Sequence, residues 1–209
     1  MPIELTPKTY AVSIAGEPVD LPLVPINDTL AISLLMVIDM GVRFGERIGQ
    51  ALARKMAALK PEIVVGTATL GIPVAIEVTR ALGLDHYVIL QKSPKIHLAD
   101  ALTQSLQSVT STGAQRLMLD RRAVPLLKGR RVIVVDDVVA TGSSLAAALK
   151  LARQAGAEVV GVGVILTEGH EWRALLGADE QLVAGLGHIP QFKIEGGRAT
   201  PMPESLARD

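Results

Sequence analysis

The chain has 209 residues, and its 21 basic and 21 acidic side chains balance, without the long basic block that would suit non-specific nucleic-acid binding. It contains no cysteine, which excludes a disulfide framework, a thiol nucleophile and a Cys-based zinc site. Hydrophobic residues make up 49% of it, with one Trp, two Tyr and two Phe, so the expected core is aliphatic, and the length suits one domain. The most apolar stretch, residues 30–40, is too short to cross a bilayer and contains Asp39, and no signal peptide is expected at the start. A soluble, cytoplasmic protein with no membrane partner is the expectation.

Taken in order, residues 10–26 (YAVSIAGEPVDLPLVPI) form two extended, proline-interrupted runs around Gly16, the pattern of an edge hairpin or irregular arm. Asn27, Asp28 and Thr29 supply N-cap chemistry ahead of a long helical region over residues 30–59, interrupted near Gly41 or Gly45. Within it Leu34, Leu35, Ile38, Val42, Ile48, Leu52 and Met56 recur at helical spacing, which predicts a core stripe or a subunit contact. Pro61 ends that region. Residues 62–66 (EIVVG) read as a buried strand, followed by the small-residue turn Ala68-Thr69-Leu70-Gly71 and a helix over residues 72–82. Residues 85–91 (DHYVILQ) predict a further strand, with Lys92 just past its end. Residues 96–120 are more polar, and short strands near residues 103–109 and 115–119 predict a hairpin with a mobile tip around Gly113.

Residues 130–144 (RRVIVVDDVVATGSS) carry the densest signal. A β-branched run without alternation suits a central parallel strand buried on both faces. Buried carboxylates are costly unless paired or solvated, so Asp136 and Asp137 belong at the open end of the sheet, where α/β proteins bind ligands. The turn after them, Ala140 to Ser144, combines small side chains, hydroxyls and a permissive glycine at the start of a helix. Its backbone N–H groups can converge on one oxyanion, helped by the helix dipole. Two carboxylates beside an anion cradle repel a bare polyphosphate and suit a sugar phosphate, whose hydroxyls donate to the acids.

The helix over residues 145–155 leads to another buried strand over residues 157–166 (AEVVGVGVIL), with Glu168 and Trp172 past its carboxyl end. Short strands at residues 182–184 and 191–194 belong at a sheet edge or over the site. Residues 196–209, with two prolines and no periodicity, predict a poorly ordered tail. The whole reads as an α/β protein, a parallel sheet flanked by helices, in one domain over residues 1–195 with residues 1–29 as an arm.

The run VIVVDDVVATGSS resembles, over its full length, the signature of the type I phosphoribosyltransferases, which bind 5-phosphoribosyl 1-diphosphate (PRPP). The resemblance implies that family's fold, with a small hood to which residues 1–29 contribute and a flexible loop near residues 103–119 that closes over PRPP and excludes water. It implies that Asp136 and Asp137 hold the ribose hydroxyls, directly or through magnesium. Ala140, Thr141, Gly142, Ser143 and Ser144 then hold the 5-phosphate. Ala68, Thr69, Leu70 and Gly71 correspond to the pyrophosphate loop, and Lys92 to a basic residue that reaches the diphosphate. Two departures stand out: the loop lacks the charged residue many relatives have, and Gln91 replaces an arginine common in purine-specific relatives.

The DDVVATG form, with Ala140 rather than a further acid, looks like the adenine and xanthine branch, in which Val138 would pack on the purine face. Oxopurine enzymes commonly place a lysine after the next strand. This chain has Glu168, an acceptor when ionised, which favours an exocyclic amine and hence adenine; its other reading is a helix cap ahead of Trp172. The implied reaction is displacement of diphosphate from C1 of PRPP by a purine nitrogen, with magnesium as cofactor and a homodimer as the assembly. Xanthine or guanine transfer stays open, as does a PRPP-sensing purine regulator, which the uncharged pyrophosphate loop keeps in view. No GxxxxGK[ST] is present, which removes a P-loop nucleotidase.

Overall fold

The computed structural model describes residues 4–93, 100–106 and 116–207. Strands Thr9–Ile14 (β1) and Glu17–Pro25 (β2) pair antiparallel, and both turn residues, Ala15 and Gly16, take positive φ (55° and 86°). That turn has the twist a two-residue hairpin needs, so the predicted edge hairpin is present.

The long helix predicted over residues 30–59 is not. Leu30–Ser33 is a strand (β3), Val37–Met40 a 3-10 turn, and only Val42–Met56 an α-helix (α1). Asn27 Oδ1 accepts from the N–H groups of Thr29 and Leu30 and from the Thr29 hydroxyl, which forms a turn into a strand rather than a helix cap. The strand then gains pairing on both sides, which an isolated apolar run cannot anticipate. Gly41, at φ 81° and ψ 169°, sets the start of α1.

Ile63–Thr67 (β4), Gly71–Ala81 (α2) and Tyr87–Leu90 (β5) follow as predicted, then the antiparallel pair Leu102–Ser105 (β6) and Arg116–Leu119 (β7). The tip of that hairpin, including Gly113, lies outside the described residues. A short helix, Val124–Leu127 (α3), leads into Arg131–Val139 (β8), Ser143–Gln154 (α4), Glu158–Glu168 (β9) and Glu171–Leu176 (α5). Val183–Ile189 (β10), Phe192–Glu195 (β11) and Arg198–Pro201 (β12) complete the chain.

The central sheet is parallel throughout, in the order β10-β9-β8-β4-β5. Along β8, Val132 and Val134 pack with α4, whereas Ile133 and Val135 pack with α1 and α2; all four are fully buried. A strand covered on both faces needs apolar residues at every position, which is what the sequence supplies. The two helices on one face lie close: a Cβ on Gly49 of α1 would stand 2.6 Å from the Glu77 backbone of α2. Among the described residues no helix is long and apolar enough to cross a membrane.

A second, antiparallel sheet in the order β1-β2-β3-β11-β12 joins the two ends of the chain. Its own small core holds Leu5, Leu23, Ala31, Phe192, Ile194 and Ala199, with Tyr10 edge-on to Phe192 at 5.1 Å. The predicted loose tail is therefore corrected: β12 pairs with β11, and Ser205 beyond it is 3% exposed. Pro201 is compatible with a strand because β12 is an edge. This hood sits on the central sheet where the Ala15 N–H donates to Leu186 O (3.1 Å), and where Gly187 leaves room for Ser13 O, 2.4 Å from the place its Cβ would take. Arg47 of α1 also pairs with Glu17 of the hairpin.

Candidate active site

The two predicted acids lie in β8 near the carboxyl end of the central sheet. Asp136 is 7% exposed; its Oδ1 accepts from the Asp137 N–H at 3.0 Å, and the Thr67 hydroxyl at the end of β4 donates to the same carboxyl. Burial, with the neighbouring Asp137 charge, holds the Asp136 carboxyl above the usual carboxylate range, while the Thr67 hydrogen bond and the Lys92 charge oppose that. Desolvation wins, so the charged form of this carboxyl lacks donors that a ligand's hydroxyls could supply. Lys92 is exposed just past β5, and its charge acts on the Asp136 carboxyl.

After β8 the chain turns at Gly142 (φ 82°, ψ −4°) into α4. The Ser143 N–H points to Thr141 Oγ1 (3.4 Å), but the N–H groups of Gly142, Ser144 and Leu145 have no acceptor among the described residues. Free donors converging at a helix start are the groups from which an anion cradle can be built. Asp136, Val138, Val139, every residue from Ala140 to Leu145, and Val164 line one cavity of about 140 Å³. One acid, the cradle and the residue expected against a base are thus brought together.

The turn at Ala68, Thr69, Leu70 and Gly71 joins β4 to α2, with a cis peptide bond between Ala68 and Thr69. The Ala68 N–H donates to Leu90 O and the Ile72 N–H to Thr69 O, and the amides of Thr69 and Leu70 are left without an acceptor among the described residues. Gly71 closes this turn on the acids. A Cβ there would stand 2.8 Å from Asp136 Oδ1 and 3.1 Å from Thr67 Oγ1, so the absence of a side chain allows loop and carboxyl to touch.

Glu168 ends β9, one residue past the Val139–Thr167 register pair, and is 7% exposed. It has no hydrogen-bond partner among the described residues, and burial followed by the Glu171 charge pushes its carboxyl up to about 7. It does not line the 140 Å³ cavity. Nor does it cap a helix: His170 holds the N-cap position of α5. Two residues carry roles the sequence did not assign to them, Thr67 and Trp172. Trp172 packs its Cα and Cβ against Gly142, 3.1 Å from where a Cβ would be. Nothing local marks either residue; a lone Trp shortly after a strand end is the only hint.

The sequence model of the phosphoribosyl transferase domain matches residues 43–181, from the start of α1 to beyond α5. The chain belongs to the phosphoribosyltransferase family. Among its relatives, the xanthine phosphoribosyltransferase of Laribacter hongkongensis is 30% identical over 64% of this chain and 70% of its own length. The adenine phosphoribosyltransferase of Gluconobacter oxydans is 36% identical over 55% of this chain and 61% of its own. An orotate phosphoribosyltransferase from Caldanaerobacter subterraneus also aligns, at 31% over 59% of this chain and 53% of its own length. The chain thus spans between about half and 70% of the length of these relatives. Among solved structures, the adenine phosphoribosyltransferase of Thermoanaerobacter pseudethanolicus superposes with a TM-score of 0.64 at 19% identity, over 79% of this chain and 94% of that one. The fold is that of the type I phosphoribosyltransferases, and relatives named for different bases share this stretch.

Proposed function

We propose that this phosphoribosyltransferase moves the 5-phosphoribosyl group of PRPP to a ring nitrogen of a purine base, adenine by preference, yielding a nucleoside monophosphate and diphosphate. The observation that carries this reading is the single cavity joining Asp136 and Val138 to the amides of Ala140 to Leu145, with the second amide turn closed onto Asp136 through Gly71. One phosphate-sized cradle, a carboxyl for hydroxyls and a second set of free amides match the three anionic or hydroxylic parts of PRPP.

In this reading the amides and hydroxyls of Ala140, Thr141, Gly142, Ser143 and Ser144 hold the 5-phosphate. Asp136 and Asp137 accept the ribose hydroxyls, and the Ala68 to Gly71 turn with Lys92 receives the diphosphate. The C1–O bond to diphosphate breaks, the C1–N bond to the base forms, and the ring N–H proton leaves the base. No residue forms a covalent intermediate; positioning and fixed dipoles lower the barrier.

Among the described residues no three His, Asp or Glu side chains form a ligand cage. Asp136 and Asp137 offer oxygen only, which fits a hard cation that keeps its waters and draws its remaining ligands from substrate phosphates. Magnesium held there would supply charge neutralisation at the leaving diphosphate.

Val138 packs on the purine face and Glu168 reads the base. With a carboxyl that titrates at about 7, Glu168 presents a donor as well as an acceptor near neutrality. That pair complements the acceptor and exocyclic amine on the edge of adenine. Xanthine is the second reading, favoured by the 30% identical xanthine phosphoribosyltransferase. The working form we propose is a cytoplasmic homodimer, with residues 4–201 acting as one core-and-hood unit. Ile38 (57% exposed) and Val42 (88%) before and at the start of α1 support a subunit contact.

The test offers adenine, xanthine, guanine and hypoxanthine separately with PRPP and magnesium and identifies the nucleotide formed. Formation of AMP at the highest kcat/KM supports the assignment. Preferential use of xanthine moves the base assignment, and no nucleotide from any base removes purine transfer.

A further inference from the structure

The segment after β12 ends on two histidines. His188 Nε2 meets Ser205 O at 2.7 Å, and His170 Nε2 meets Leu206 O at 2.8 Å; the two rings stack at 5.2 Å and 14°. Both partners are carbonyl oxygens, so both Nε2 atoms carry the proton. His188 Nδ1 lies 2.8 Å from the Thr167 hydroxyl, which donates to it when the ring is neutral. His170 Nδ1 is buried without a partner. A proton placed there would be a buried donor with no acceptor, facing a second ring at stacking distance.

We propose that residues 202–206 form a proton-operated latch, held on the carboxyl end of the central sheet while the stacked His170 and His188 are both neutral and released when either is charged. Ser205 is the bolt: its hydroxyl donates to Met202 O (2.7 Å) and accepts from the Gln191 N–H (2.9 Å), so the segment sits or lifts as one piece. Other charges around the pair are Arg173 of α5, which bonds Glu180 at 3.3 Å, Glu168 and Glu171 on either side of His170, and Glu204 on the segment itself. Arg173 and a charged His170 oppose a charged His188, Glu168 is neutral below about 7 and offers it no charge, and burial is the largest influence on His188, holding it below the usual histidine value.

With the His188 value depressed in the folded state, the open form binds that proton more tightly, so the latch is closed above the ordinary histidine value of about 6.5 and opens as pH falls below it. The opening reaches the active site through the chain, because His170 starts α5 and Trp172, two residues on, packs against Gly142 of the phosphate cradle.

The chain has no cysteine, so Leu206→Cys carrying a polarity-sensitive bimane label reports through its emission wavelength whether the segment is seated or in solvent. The emission is expected to shift to the red between about pH 7.5 and about pH 5.5 in the parent, while staying unshifted at both in His170→Gln/His188→Gln, which keeps the Nε donors but cannot titrate. A signal that does not change with pH in the parent, or an equal shift in the glutamine background, would overturn the latch. Nitrogen NMR of the unsubstituted protein tests it independently of the variants: both rings neutral with the proton on Nε2 at about pH 7.5 supports it, and either ring charged or protonated only on Nδ1 there overturns it.

Discussion

Glu168 and Gly71 show how far single residues carry the chemistry. Because the folded state holds the Glu168 proton up to about 7, against an ordinary value of 4.5, the native protein binds one more proton than the unfolded chain between those values. Stability contributed by the protonated form is therefore lost as pH rises through that window. Glu168→Gln is expected to flatten this part of the profile and to stabilise the protein by about 1–3 kcal/mol at pH 8, read by urea unfolding. The same substitution keeps both a donor and an acceptor. The KM for adenine, expected to rise as pH passes about 7 in the parent, should then be pH-independent in the variant. At Gly71 the added methyl of Gly71→Ala meets Asp136 Oδ1 at 2.8 Å, so loop and carboxyl must separate. A loss of about 1–3 kcal/mol in stability, with weaker PRPP binding by calorimetry, is the expected outcome.

At the scale of elements, what the sequence disclosed depended on how local the cause was. β8, the acid pair and the Ala140–Ser144 turn were legible because a doubly buried strand needs an unbroken apolar run and a turn that leaves its amides free needs small residues, both written in consecutive positions. β3 was not. Leu30, Ala31 and Ile32 suit helix or strand, and the deciding partners come from residues 23–25 on one side and from Phe192 and Lys193 on the other. The contacts of Thr67 with Asp136 and of Trp172 with Gly142 were hidden for the same reason, since each joins separate elements. The crossing of α1 and α2 gives the sharpest test at this scale. Gly49→Ala puts a Cβ 2.6 Å from the Glu77 backbone, which cannot rotate away. A destabilisation of about 2–3 kcal/mol, or a Tm lower by roughly 4–12 °C, is expected in thermal unfolding.

For the whole molecule, the central result is that both ends of the chain build one hood over one end of the parallel sheet. Removal of residues 196–209 deletes β12 and Ser205, uncovers the edge of β11 and removes Ala199 from the hood core. The truncated chain is expected to unfold earlier and to lose protection from amide exchange in β1 to β3 before the central sheet; unchanged exchange would show that the C-terminal strand is dispensable. The proposed role of this architecture is to present PRPP to a base through the Asp136–Asp137 pair. It is tested most directly by following diphosphate release from PRPP with adenine and magnesium, the full chain beside its Asp137→Asn variant. Steady release by the parent and a loss of roughly a hundredfold or more in the variant is the predicted result. Equal release by both proteins, or none by the parent, would contradict it.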